Sequence, residues 1–338
     1  MIWVVHALQL EKPGPLDARP LRPIDVGDPE PGPGELVLAV TACAVCRTDL
    51  QIVEGDLEAR RLPIVPGHQV VGRVARVGRE VAGWRVGDRA GLAWLAETDG
   101  TCVFCVSGRE NLCREARFTG WDRDGGYATR VSARAEFTYP LPDGFDDLAS
   151  APLLCGGVIG YRSLKLSGIQ RGGRLGLFGF GASALLAMQV ARHWGCEVHV
   201  RTRSVREQER AMAMGAASAA GYKEPTPPLE AAVTFAPSGE IVLAALRSLD
   251  RGGTVAINAI HLDRIPELPY DDLWWERNVR SVANFTRQDA REFLELAALI
   301  PIETSIQAFD LDDANDALRR LAIGGLDGTA VLVPGGAT

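Results

Sequence analysis

The chain has 338 residues, with 36 Lys and Arg against 43 Asp and Glu, so its formal net charge is −7. That is the wrong sign for holding nucleic acid or an anionic membrane by bulk electrostatics, and it points to small-molecule ligands. With 46% hydrophobic and 23% charged residues, the chain is too apolar for a disordered tail and long enough to bury the cores of two domains.

The N-terminus shows no basic lead or small-residue cleavage site, and the expectation is a cytoplasmic protein. The longest apolar stretch, 175–191, is interrupted by Gly176, Gly179 and Gly181 and does not read as a membrane span. Over the first 150 residues, short β-type runs at 36–43, 70–77, 89–95, 127–131 and 137–141 are separated by Gly and Pro turns. This predicts a compact, mostly antiparallel barrel. The texture then changes to helix 149–166, strand 174–178, helix 183–194, strand 197–201, helix 207–214, strand 233–236, helix 241–249 and strands 254–257 and 280–282. Helices alternating with buried strands predict a doubly wound parallel sheet. The tail adds helix 288–299, strand 302–309, helix 312–323 and strand 330–333.

Strand 174–178 runs into Gly179-Phe-Gly181-Ala-Ser-Ala184 and then into an apolar helix. The pattern G-x-G-x-x-A in this context predicts dinucleotide binding. Two glycines permit a tight turn and close approach of a pyrophosphate, the small third residue lets helix and strand pack, and the helix N-terminus faces the anion. Gly179, Gly181, Ala182 and Ser183 are therefore candidate cofactor contacts. At the end of the next strand, where an NAD site places an acid, the chain reads Val200-Arg201-Thr202-Arg203-Ser204. Arg201, Thr202 and Arg203 suit a ribose 2′-phosphate, which predicts NADP(H) over NAD(H).

Seven cysteines are too few for a disulfide scaffold in a chain of this size. Asp99, Cys102, Cys105 and Cys113 are spaced like a single-loop tetrahedral zinc site, with a carboxylate as the fourth ligand. Cys46, His68 and Cys155 form a dispersed second set that no spacing alone would single out. Cys43 and Cys196 lie in predicted strands and read as small buried residues.

Cys46-Arg-Thr-Asp49, Gly67-His68, Gly87-Asp88-Arg89, the 99–113 loop, Cys155 before a helix and Gly179-Phe-Gly181 occur in one order. In that order the chain resembles, over essentially its whole length, the zinc-dependent alcohol dehydrogenases of the medium-chain dehydrogenase/reductase superfamily. The resemblance implies an α/β plus β fold. A GroES-like barrel catalytic domain would span 1–155, completed by 284–338, and a Rossmann cofactor domain 156–283. It implies two Zn2+ per chain: Cys46, His68 and Cys155 as ligands of a catalytic zinc with an open fourth position, and Asp99, Cys102, Cys105 and Cys113 as a structural set. Thr48 would hydrogen-bond the substrate oxygen, Asp49 would orient His68, and Arg47 would contact the pyrophosphate. Leu57 and Trp94 would line the substrate pocket, with Asn284 or Phe285 on the cofactor side. By the same resemblance the chain forms a homodimer or homotetramer.

Three departures stand out: Gln69 follows His68 where a Glu is usual, Asp99 replaces a first cysteine, and Gln51 occupies a place where several members carry a proton-passing histidine. His261 is a candidate substitute, whereas His6, His193 and His199 read as structural. The expected reaction is hydride transfer between NADP(H) and an alcohol, aldehyde or ketone. The rivals are a reductase of conjugated C=C or C=N bonds on the same fold and a non-catalytic cofactor-binding protein, which would have no use for an open zinc.

Overall fold

A computed structural model describes residues 4–336. They form two compact units: one contains the residues up to Cys155 and those from Thr286 onward, and the other is Gly156–Phe285. The return to the first unit falls at 286, two residues later than the predicted 284.

The core of the first unit is a seven-stranded sheet. Its path runs Ile306–Asp310, Thr329–Val333, Glu35–Ala44, Gln69–Val77, Arg89–Leu92 and Thr138–Pro140, with Arg130–Arg134 also paired to Glu35–Ala44. All neighbours are antiparallel except the two C-terminal strands, which pair in parallel. Leu36, Leu38, Val70, Val71 and Val331 are buried along it, as strands rich in branched residues demand. A hairpin of Val4–Leu10 with Leu21–Gly27 lies outside this sheet.

The second unit holds a six-stranded, all-parallel sheet. Its spatial order is Ser218–Ala220, Glu197–Arg201, Arg174–Phe178, Leu229–Thr234, Leu249–Ile257, Asn278–Ser281. In chain order this is 3-2-1-4-5-6, the Rossmann arrangement, and the order reverses between Arg174–Phe178 and Leu229–Thr234. Leu175, Leu177, Val198, Val200, Ala232 and Val255 are fully buried, because helices such as Ala182–His193 and Gly239–Arg247 connect and cover the strands. Among the described residues no helix is long and apolar enough to cross a membrane.

Several elements differ from their predicted form. The hairpin was not foreseen because Leu21–Gly27 is largely exposed and carries Pro23, which reads against a strand. Strand 89–95 divides into Arg89–Leu92 and Leu95–Glu97, with Trp94 at the break. The segment predicted at 127–131 joins the sheet as regular strand only from Arg130; ahead of it Ala128 forms an isolated antiparallel bridge with Ala7, with Leu8 N donating to Tyr127 O and Thr129 N to His6 O, both at 2.8 Å. Helix 149–166 is three pieces, Asp147–Ser150, a 3-10 turn Ala151–Leu154 and Gly156–Ser167. Pro152 supplies no N–H to a continuing helix, and Cys155 adopts φ −131°, ψ −69° at the junction.

Candidate active site

Cys46 stands at the N-cap of the helix Arg47–Glu54, whose Leu50, Ile52 and Val53 are buried. Asp49, in its first turn, accepts from the Cys46 backbone N–H through Oδ2 at 2.7 Å. Its other oxygen, Oδ1, accepts from His68 Nδ1 at 3.0 Å. One buried carboxylate thereby fixes both the helix start and the ring of His68. With Nδ1 taken, Nε2 is the atom of His68 left to serve as a ligand.

His68 follows Gly67, whose φ of +96° suits glycine. A Cβ there would lie 2.4 Å from Tyr127 Cδ1 and 2.8 Å from Cys43 Sγ, so the close approach of the aromatic ring also requires glycine. Cys155 arrives from the helix break. One ligand atom from each of Cys46, His68 and Cys155 lies within 4.8 Å of the others.

The protonation of this set is unusual. A hydrogen bond from Cys155 and the facing His68 hold the Cys46 thiol well below its ordinary value despite burial. Its hydrogen bond to Cys46, together with burial, pushes Cys155 well above. Burial disfavours the charged form of His68, but Asp49 and Cys46 outweigh it and lift the pKa to about 10. Two thiols and an imidazole crowded around a common point, with a carboxylate behind the imidazole, suit a divalent cation that takes the place of their protons.

Thr48 is half-buried, with Oγ1 3.8 Å from Cys46 Sγ. Arg47 is exposed at the helix start. Gln69 is buried and donates from Nε2 to the Ala44 carbonyl at 3.3 Å. Gln51 Oε1 is buried without a hydrogen-bond partner among the described residues. Trp94 is buried with its ring edge-on to His68, centroids 4.9 Å apart. It stacks on Phe118 at 5.1 Å and Trp121 at 5.7 Å, and Arg60 lies over the Trp121 ring at 4.0 Å. This aromatic wall was missed in the sequence because its members are dispersed and follow no period. Leu57 is half-buried just beyond the helix.

The ligand atoms of Asp99, Cys102, Cys105 and Cys113 also lie within 4.8 Å of one another. Asp99 Oδ1 accepts from the backbone of Thr101 at 2.7 Å and Cys102 at 2.8 Å, and Cys113 Sγ donates to Oδ2 at 3.2 Å. Burial first, and then the neighbouring carboxylate and thiol, push Cys113 up to about 12. Cys113 packs with Leu95, Ala116 and Phe137 in a small apolar cluster that anchors the loop.

In the second unit, Gly179 has φ +92°, and a Cβ would lie 3.0 Å from the Ala236 backbone nitrogen. Gly181 caps the helix Ala182–His193, and Gly181 and Ala182 are exposed while Ala184 is fully buried. The N-terminal amides are therefore open to an anion, with Ser183 half-buried beside them.

The 2′-phosphate expectation needs correction at Arg201. Its side chain is only 2% exposed and donates to the carbonyls of Glu224 at 3.1 Å, Val200 at 2.8 Å and Pro225 at 2.6 Å and to Ser218 Oγ at 3.1 Å. These bonds fasten the strand end to the 218–225 segment and leave no fork for a phosphate. Thr202 is also buried and donates its hydroxyl to the Glu207 carboxylate. Arg203 alone of the three is exposed.

Phe285, 1% exposed, is a core residue rather than the pocket residue expected. Asn284 has φ +56°. His261 and His193 are exposed, and His199 is buried with Nδ1 2.9 Å from Ser218 Oγ. His6 bridges Asp25 and Asp312, and Cys43 and Cys196 are buried.

Comparison with known proteins decides the family. The alcohol dehydrogenase GroES-like domain matches residues 32–143. The chain is 49% identical, over 97% of its own length and 97% of the relative's, to the probable alcohol dehydrogenase AdhA of Mycobacterium tuberculosis. The chain belongs to the zinc-dependent alcohol dehydrogenase family. Among solved structures, a cinnamyl alcohol dehydrogenase of Sorghum bicolor shares the fold, with a TM-score of 0.89, 23% identity and 99% of each chain covered. A chain described as a zinc-binding dehydrogenase of Sinorhizobium meliloti, bound to NADP, has a TM-score of 0.88 and 27% identity, covering 98% of this chain and 100% of that one. Membership of this family makes the GroES-like and Rossmann architecture the expected one for the two sheets.

Proposed function

We propose that the chain is a zinc-dependent, NADP(H)-preferring alcohol dehydrogenase that also reduces aldehydes or ketones. The observation that carries this reading is the convergence of Cys46, His68 and Cys155 within 4.8 Å, with Asp49 bonded to His68. Three protein donors of this kind hold Zn2+ and leave its fourth position open. Zinc held there acts as a Lewis acid on a carbonyl or alcohol oxygen, and a nicotinamide supplies or takes up the hydride.

The chain's own residues do the rest. Asp49 fixes the His68 tautomer. The Thr48 hydroxyl, beside Cys46, hydrogen-bonds the substrate oxygen and carries its proton. Gln51 does not titrate, so that proton leaves through water rather than through residue 51. Trp94, edge-on to His68, supplies an apolar wall suited to a hydrophobic alcohol or aldehyde. Asp99, Cys102, Cys105 and Cys113 hold a second, structural zinc.

Gly179, Gly181, Ala182 and Ser183 receive the pyrophosphate. Exposed Arg203 supports the preference for a 2′-phosphate, as does the NADP-bound relative at 27% identity. The strand Asn278–Ser281 is an exposed edge, and Tyr270, Trp274, Trp275 and Val279 are exposed near it in sequence, which supports self-association as a homodimer or homotetramer. Free thiols throughout suit a reducing cytoplasm.

The test is metal analysis combined with steady-state kinetics. Two zinc ions per chain, and reduction of an aldehyde that disappears when zinc is removed and returns when it is restored, support the reading. Full turnover by zinc-free protein contradicts it.

A further inference from the structure

We infer that Arg60 is a specificity-determining residue, which positions Trp121 and Phe118 as the outer half of the aromatic wall and so favours extended aryl carbonyl substrates over short aliphatic ones. This rests on the reading above, in which the chemistry takes place at Cys46, His68 and Cys155. All the residues involved belong to the first unit. The wall begins at Trp94, edge-on to His68, and continues into Phe118 and Trp121, each inclined 21° to the Trp94 ring. Its inner part is held by the backbone, since Thr119 N donates to Trp94 O at 2.9 Å and keeps Phe118 beside Trp94. Trp121 stands on a turn, where the N–H groups of Trp121, Asp122 and Arg123 all converge on Phe118 O, and its half-buried ring is held from outside that turn.

Arg60 supplies the hold. Its guanidinium lies 4.0 Å from the Trp121 centroid and 5.3 Å from that of Phe118. Nη1 donates to Ala116 O at 3.3 Å and to Asp122 Oδ2 at 3.4 Å, and the same Oδ2 accepts from Phe118 N at 2.9 Å. Two residues earlier, Glu58 O accepts from Trp121 Nε1 at 2.9 Å. The largely exposed segment 56–62 is thereby fastened to the faces of two rings, to the edge of one and to the backbone that carries both. With Arg60 45% exposed, the long ion pair to Asp122 contributes little. The planar cation over the rings is the stronger contact, and lysine does not reproduce it. A two-carbon aldehyde held at the metal site is too short to reach past Trp94. A naphthyl carbonyl is long enough to lie along Phe118 and Trp121, where ring stacking adds to binding.

The test measures kcat/KM for 2-naphthaldehyde and acetaldehyde with zinc-loaded protein and saturating NADPH. Arg60→Ala is expected to lower the naphthaldehyde value about five- to tenfold, mainly through KM, and the acetaldehyde value less than about twofold. Arg60→Lys recovers only part of the loss. In a Trp121→Ala background, Arg60→Ala leaves the ratio of the two values unchanged, because the ring through which it acts is gone. The near-UV circular dichroism bands of tryptophan change in Arg60→Ala while the far-UV spectrum does not. Equal losses for the two aldehydes, or an undiminished effect of Arg60→Ala in Trp121→Ala, would make Arg60 a general fold contact. Unchanged kinetics for both aldehydes in Arg60→Ala would remove it from substrate selection; each of these results overturns the inference and leaves the proposed reaction standing. A zinc-loaded wild type that reduces neither aldehyde would overturn the proposed reaction and this assignment with it.

Discussion

Asp49 sits between a backbone N–H and an imidazole, 2.7 Å from Cys46 N and 3.0 Å from His68 Nδ1, and is fully buried. Asp49→Asn removes the charge that holds the His68 tautomer, and about a 10- to 100-fold loss of zinc affinity is expected. Competition with a chromophoric chelator reads this directly, and unchanged affinity would show that Asp49 serves only the helix cap. The two arginines beyond the second Rossmann strand separate in the same way. Arg201→Ala strips donors from three carbonyls and Ser218, so it should cost about 2–3 kcal/mol in denaturant unfolding while preserving the NADPH-to-NADH ratio of kcat/KM. Arg203→Asp should lower that ratio with little effect on stability, and the reverse pattern would restore Arg201 to the cofactor site. Sequence showed the charges at 201 and 203 but not their directions. Burial of Arg201 depends on carbonyls at 224 and 225, distant in the chain. Asp99, Cys102, Cys105 and Cys113, in contrast, were legible as a candidate set from their spacing, whereas Cys46, His68 and Cys155 stood out only through the order of motifs that the chain shares with a known family.

At the level of elements, alternation and helical period located most strands and helices, while tertiary demands moved their ends. Trp94 interrupts a predicted strand to stand beside His68, and Cys155 interrupts a predicted helix to reach Cys46. Each break occurs at the candidate catalytic centre, where local preference yields to the geometry of the site. The turn at Gly67 is a similar device. Gly67→Ala combines an unfavourable φ with overlap against Tyr127, and a loss of about 2–4 kcal/mol is expected by thermal or denaturant unfolding, together with weaker zinc retention. Wild-type stability would mean that Tyr127 moves aside freely. The 99–113 loop makes a further prediction. Asp99 already accepts two backbone N–H groups through Oδ1, and a carboxylate is a harder ligand than sulfur. Graded chelation should therefore release the zinc of this loop before that of Cys46, His68 and Cys155, and Asp99→Cys should delay its loss. Simultaneous release in both proteins would count against the assignment.

The architecture as a whole, an antiparallel sheet unit and a parallel Rossmann unit, was readable from the change of texture near residue 150. The N-terminal hairpin was not, since its second strand is exposed and carries Pro23, while the bonds that tie the hairpin to the rest of its unit reach far along the chain. One such link joins residues 306 apart: His6 Nε2 lies 2.6 Å from Asp312, and its Nδ1 lies 3.2 Å from Asp25. The hydrogen bond to Asp312 outweighs burial and, with Asp25, raises the His6 pKa above its ordinary value of 6.5. Because the folded value is the higher one, the stability gained is complete below pH 6.5 and is lost as pH rises through the raised folded value. His6 is about a third exposed, so the effect is small and screened by salt. His6→Gln should flatten the wild-type decline of stability above neutral pH, and identical pH profiles would remove His6 from this role. The central claim, carbonyl reduction at a zinc centre with a phosphorylated cofactor, is tested most directly by product analysis of zinc-confirmed protein incubated with cinnamaldehyde and NADPH, alongside NADH. Cinnamyl alcohol formed faster with NADPH is the predicted result. A saturated aldehyde would instead place the hydride on the conjugated carbon and contradict the roles given to Thr48 and to the ion held by Cys46, His68 and Cys155.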